Sequence, residues 1–374
     1  MMINPFKDRS PVLRRQSAGY MVVTLISFAA SVSGTRLFLT LTGFPQLGGE
    51  GLHIAHVLWG GLFLFIAALL PVIFVNEWIM PLSALISGFG IGLFIDEVGK
   101  FITANNDYFY PSAAPIIYVF FLVVVLFSFQ VRKRRELTNR ARMYNILEEF
   151  GEVLDHDLSA DEYNELMAEL DTVIQLEKSK SMVDLATSLK KYLEENRMNV
   201  VPRDPMIFDR VRMNLKKLEK QWLQQKRLAS ILIIGFLLMA LWDFLAPLGY
   251  TLVTSNIDTP QILREVIRSN MVMDAGGLTW FQVRVVMEGT IGLLAVVTAV
   301  CFIAKRYTSG YWSGFVGLLL KLTVINPLVF YFDQFSTIVV AALEFLLFIL
   351  LLRYRKRFMQ DQNQAVQARD RVTE

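Results

Sequence analysis

Glu50, His53 and His56 stand three residues apart in a chain with only 3 histidines. On a helix this spacing lays them along one slanting stripe. Asp96 and Glu97 follow inside a later apolar run. Two neutral imidazoles with nearby carboxylates suit zinc or a similar first-row divalent ion. Glu-x-x-His is also the spacing of carboxylate-bridged di-metal bundles. With a bound water, such a site does hydrolytic chemistry. Arg36 and Lys100 fall at a comparable depth and add a second reading, a cluster that handles protons or a small solute. A third reading is structural: Asp96 pairs with Lys100 at i, i+4, Glu97 pairs with Arg36, and the histidines donate across helix contacts.

A separate set lies nearer the C-terminus. Arg284 and Glu288 are i, i+4 neighbours, and Lys321 and Glu344 sit in the middle of apolar runs. Lys321 between two glutamates is a buried charged triad. Such triads occur in ion and proton pathways and also as fixed interhelical pairs. No nucleotide-binding loop or nucleophile motif is present. His53 and His56 share one helix, so they cannot clamp a haem from both faces.

The elements that must position these residues are membrane spans. About 20 apolar residues are needed to cross the hydrocarbon core as a helix. Runs of that kind lie near 17–41, 52–75, 80–103, 113–131, 229–250, 278–304, 312–332 and 335–353. The composition agrees: 54% hydrophobic residues, 19% charged and 28 Phe. It excludes a disordered chain, a collagen-like fibre and a disulfide scaffold. The single Cys301 lies in an apolar run and has no intrachain partner. The net charge of +3 is too small to argue for nucleic acid. Arg14-Arg15 before an apolar run has the look of a secretory signal, but the run is long and reads as a retained helix.

Basic residues flank the spans on one side. Arg14 and Arg15 precede the first, Arg132 to Arg135 follow the fourth, Lys226 and Arg227 precede the fifth, Lys305 and Arg306 follow the sixth, and Arg355 to Arg357 follow the eighth. Eight spans put all of them in the cytoplasm, with both termini inside and the Lys- and Arg-free connection 42–51 outside.

Half of the charged residues lie in 132–227. There Met143, Ile146, Leu147 and Phe150 have helical spacing, Ser159 with Glu162 forms a capping box, and Met182, Leu185, Leu189 and Leu193 suit a third helix. A further amphipathic stretch runs from Ile207 to Trp222. The Asp155–Asp161 alternation lacks the glycine and terminal glutamate of a calcium loop.

The halves share an order of features. Ser87-Gly88-Phe89 opens the third span and Ser313-Gly314-Phe315 the seventh, and each half closes on a basic run. Four spans per copy give a parallel repeat about an axis along the membrane normal. The expected fold is therefore all-α and polytopic, with about eight transmembrane helices. It comprises an N-terminal half (1–131), a helical cytoplasmic insert (132–227), a C-terminal half (228–357) and a polar tail (358–374).

The run Gly51-Leu52-His53-Ile54-Ala55-His56-Val57-Leu58-Trp59-Gly60-Gly61, with Gly92-Leu93-Phe94-Ile95-Asp96-Glu97-Val98-Gly99-Lys100-Phe101, resembles a group of uncharacterised bacterial multi-pass membrane proteins. The resemblance covers mainly the first four spans. It implies the bacterial plasma (inner) membrane and brings no activity. Membrane hydrolases of the alkaline ceramidase and progestin-receptor type use three histidines with Ser and Asp, whereas here His156 falls in the insert.

Three functions follow from the residues. The first is translocation or sensing of an ion or small solute. The second is a metal-dependent, hydrolase-like enzyme at the outer leaflet that acts on a lipid, with Glu50, His53, His56, Asp96 and Glu97 as candidate ligands. The third is a structural or assembly role. The bilayer is the one partner common to all three, and the oligomeric state is left open.

Overall fold

The computed structural model describes residues 10–43, 55–132, 137–155, 158–195, 224–256 and 275–359. Among them the ordered elements are helices, and no strand occurs. Seven are long and apolar enough to cross a membrane, the last being a run of 53 residues, Tyr307–Met359. The chain is a multi-pass helical membrane protein. Large apolar side chains such as Leu41, Val72, Val286 and Val339 point outward, as lipid requires.

The chain divides into two compact units, residues 1–97 with 123–210, and residues 98–122 with 211–374. Residues 132–210 of the insert thus group with the first unit. Residues 98–122 group with the second, although the sequence places them in the N-terminal half.

The membrane part of the first unit is built on α1 (Ser17–Thr42), α2 (His56–Ile73) and α3 (Ile79–Asp96). Small residues set their spacing. Thr24, Ser27 and Ser31 of α1 donate hydroxyl hydrogen bonds to the carbonyls of Ala84, Leu85 and Phe89 on α3, at 3.2, 2.6 and 2.9 Å. The paired numbers rise together, so α1 and α3 are parallel. On the other side of α3, Gly90 meets Leu64 and Gly60, while Ser83 donates to the Ala67 carbonyl at 2.7 Å. These numbers run in opposite senses, so α2 is antiparallel to α3. A Cβ on Gly88 would overlap the Thr24 carbonyl oxygen and lie 2.8 Å from the Ser27 Cβ. Backbone cannot yield as a side-chain tip can. Gly88→Ala is therefore expected to destabilise the unit by about 1–3 kcal/mol, read as a lower unfolding temperature in detergent. An unchanged midpoint would show that the seam relaxes.

The insert folds as α6 (Asn139–Leu154), α7 (Ala160–Leu176) and α8 (Lys180–Glu195), after α4 (Val98–Ile102) and α5 (Ala113–Arg132). Met143, Ile146, Leu166, Leu170, Val173, Ala186 and Leu193 form its core. The Ser159–Glu162 capping box starts α7. The amphipathic stretch 207–222 lies outside the described residues.

Charges tie the insert to the start of α1. Arg14 pairs with Glu148 at 2.7 Å, and Arg15 reaches Glu149 and Glu165. Burial pushes the Glu152 carboxyl up to about 10, and the facing carboxyl of Glu77, between α2 and α3, adds to the rise. A carboxyl raised in the fold keeps its proton there. Its contribution is fully present in acid and is lost as pH rises from the ordinary carboxylate range towards about 10. Limited proteolysis of the insert is expected to quicken between roughly pH 6 and pH 9. Glu152→Gln should flatten that dependence, and an equally steep profile in the variant would remove this pair as its cause.

The second unit contains α9 (Gln225–Asn256), α10 (Ala275–Ile303), α11 (Tyr307–Leu320), α12 (Asn326–Asp333) and α13 (Ile338–Tyr354). Phe236 of α9 faces Gly314 of α11, and Asp243 faces Lys321, so α9 and α11 are parallel. Thr298 of α10 donates to the Ser313 hydroxyl at 3.1 Å, while Phe302 covers Gly310, so α10 is antiparallel to α11.

The last apolar run, at 1.5 Å per residue, would extend about 80 Å as one helix, far more than a bilayer core of about 30 Å. It reverses instead. Gln334 has φ 49° and ψ −136°, followed by a 3-10 turn over Gln334–Thr337. Beyond it Phe345 and Phe348 return past the preceding helix, the Phe315 and Phe348 rings lying 5.6 Å apart. Arg355 comes back to the Tyr311 ring. The run is a helical hairpin.

Candidate functional site

In the first unit the α1–α3 seam ends in a buried ion pair. Arg36 Nε donates to Asp96 Oδ1 at 2.6 Å, and Nη2 donates to the Asp96 carbonyl at 3.1 Å. His56 opens α2 against the same carboxylate, with Nε2 3.0 Å from Asp96 Oδ2 and Nδ1 2.9 Å from Glu97 Oε1. The His56 backbone N–H also donates to Glu97 Oε1 at 3.1 Å. Glu97 thus places negative charge at the α2 N-terminus, where unpaired amides favour it. Asp96 and Glu97 are essentially inaccessible.

An ionised carboxylate only accepts hydrogen bonds. The two carboxylate contacts of the imidazole suit a ring that carries a proton on each nitrogen. Arg36 and His56 thus meet Asp96 and Glu97 in one buried cluster. Among the described residues no group of three or more His, Cys, Asp or Glu side chains is placed to hold a metal. Glu50 and His53 lie outside the described residues. Lys100 stands 5.2 Å from the centre of the Tyr108 ring.

The second unit brings Lys321 and Glu344 together and adds an acid that sequence reasoning did not single out. Lys321 Nζ donates to Asp243 Oδ1 at 2.5 Å and lies 3.7 Å from Glu344 Oε1. Glu344 Oε2 accepts from Asn326 Nδ2 at 2.7 Å. Glu288 is held by Arg284 Nε at 3.2 Å rather than directly by Lys321. Arg284 also donates from both Nη atoms to Asp333, at 3.0 and 2.5 Å, in a two-pronged pair. Asp243 sits within Leu-Trp-Asp-Phe in the fifth apolar run, and an acid inside a span is itself a signal.

A break in the helix positions Lys321. Lys321–Ile325 is a π turn in which the Asn326 N–H reaches back to the Lys321 carbonyl. Pro327 has no N–H to offer. The Leu322 carbonyl accepts instead from the Tyr118 hydroxyl at 2.9 Å. Widened turns of this kind recur at functional sites.

These groups surround a cavity of about 180 Å³. Among the described residues, Arg284, Glu288, Lys321, Asn326, Asp333, Thr337 and Glu344 form its polar lining, and Trp242, Leu245, Val329, Val340 and Ala341 its apolar lining. Comparison with protein families, curated proteins and solved structures finds no match.

Proposed function

We propose that this protein translocates or senses an ion or a small polar solute, and that the cavity of the second unit is where it binds. The observation that carries the reading is the charge around that cavity. Among the described residues, Arg284 and Lys321 line it with Glu288, Asp333 and Glu344, and Lys321 also contacts Asp243, so the acids outnumber the bases. A purely structural network gains nothing from buried excess charge, whereas a site that takes up a charged ligand uses it.

The finer topology belongs to the same proposal. The terminal hairpin supports eight passes, and the flanking basic residues then put both termini and the insert in the cytoplasm of a bacterial inner membrane. A parallel internal repeat is supported by matching packing. Each unit has a parallel first and third helix with the second antiparallel. Each also places an ion pair between first and third helices beyond the Ser-Gly-Phe contact, with the charges exchanged: Arg36 on Asp96, but Asp243 on Lys321.

The test is flux into proteoliposomes across a panel of protons, sodium, potassium and small amines and acids. Uptake of a panel member by the wild type, reduced to background in Glu288→Gln, is the expected result. The absence of any flux, together with no ligand-dependent change in unfolding temperature, would leave the charges as structural glue.

A further inference from the structure

The cavity of the second unit also defines the chemistry of its ligand, an inference that rests on the site proposed above. The two cations are already engaged, Arg284 by Glu288 and Asp333, and Lys321 by Asp243 and Glu344. Glu288 is 5% exposed and lines the cavity, and its Oε2 is buried with no hydrogen-bond partner among the described residues. Asp243 Oδ2 is likewise buried and unpaired. A buried, unsatisfied carboxylate oxygen carries a large desolvation cost. What completes this site must therefore bring positive charge and hydrogen-bond donors. An anion would meet excess carboxylate and no unengaged cation.

Size and lining narrow the class. The cavity is about 180 Å³, and one of about 150 Å³ already holds a benzene molecule. A bare metal cation takes oxygen ligands on every side, whereas Leu245, Val329, Val340 and Ala341 bring apolar side chains to the lining. That wall suits hydrocarbon. Trp242 and Leu245 are 53% and 54% exposed, so the cavity opens along their side of α9. An indole at the mouth favours an organic cation further.

We propose that the cavity binds a small primary ammonium compound, with its –NH3+ donating to Glu288 Oε2 and its short hydrocarbon group against Val340 and Ala341. The test is isothermal titration of the full-length protein in detergent with propylammonium, and with sodium as the bare-ion control. One site per chain is expected, indifferent to sodium. Its affinity should fall roughly tenfold or more in Glu288→Gln, which removes the charge, and in Val340→Phe, which fills the apolar side. Val340→Phe leaves every charge in place and so covers the case in which Glu288→Gln does not fold.

The inference is overturned if propylammonium does not bind, if both variants bind it as the wild type does, or if sodium competes equally. It is also overturned if a protonated-carboxyl infrared band, lost in Glu288→Gln, persists when amine is added, because a proton then balances the charge. Flux of another solute without amine binding would remove this inference alone. Amine binding without flux or any ligand-dependent response would retain the site and remove the translocating or sensing role.

Discussion

Lys321→Met is expected to destabilise the protein by about 3–5 kcal/mol, the cost of removing one partner from a buried ion pair. Lys321 is the cation that Asp243 contacts at 2.5 Å, and it lies 3.7 Å from Glu344. Without it Asp243 retains no hydrogen-bond partner among the described residues, since its Oδ2 has none already. Glu344 keeps the Asn326 amide, so the larger share of the loss falls on Asp243. Lys321→Met/Asp243→Leu should then recover most of the folded yield, because apolar replacement of a whole buried pair is close to neutral. The measurement is the unfolding temperature in detergent, followed by size exclusion. A single variant as stable as the wild type would show that the Lys321–Asp243 contact carries no net stability. The double variant also separates fold from function: under the proposed role it folds but has altered flux, since the cavity has lost a charged wall.

The apolar runs, the insert and its capping box were legible because each depends on local spacing. Ser159 and Glu162 are three residues apart, and one helical turn decides whether they meet. The ion pairs were legible only as a set of residues. Arg36 meets Asp96 rather than Glu97 because α3 ends at Asp96, and the turn there swings Glu97 towards the first amides of α2. Lys321 meets Asp243, which is distant in sequence and lies on a parallel helix, so no periodicity links them. The rule that flagged Glu288 and Glu344, an acid inside a span, applies to Asp243 with equal force. Pro327 removes one donor from the helix. That the break would turn a carbonyl to Tyr118 depended on a helix more than 200 residues away. The grouping of residues 98–122 with the second unit was hidden for the same reason: it arises from tertiary packing, with Tyr118 stacked 4.7 Å from Phe330.

Arg36→Met should cost a similar amount, about 3–5 kcal/mol, and the pattern of rescue should differ. Among the described residues Arg36 donates to the Asp96 carboxylate and to its backbone carbonyl. Arg36→Lys offers a point charge in place of the planar fork and cannot reproduce both. It should recover only part of the loss. Asp96 has a second partner in His56, 3.0 Å away. An Arg36→Met/Asp96→Leu double variant therefore removes one strained carboxylate but takes a partner from His56. It should be rescued less completely than the Lys321–Asp243 double. A double-mutant cycle built from the two single variants and the double, read by unfolding temperature, gives the coupling directly. A coupling near zero would mean that Arg36 and Asp96 act separately. A large coupling with full rescue would mean that His56 finds enough in Glu97 without Asp96, so that the Arg36–Asp96 and His56–Glu97 contacts act as independent pairs.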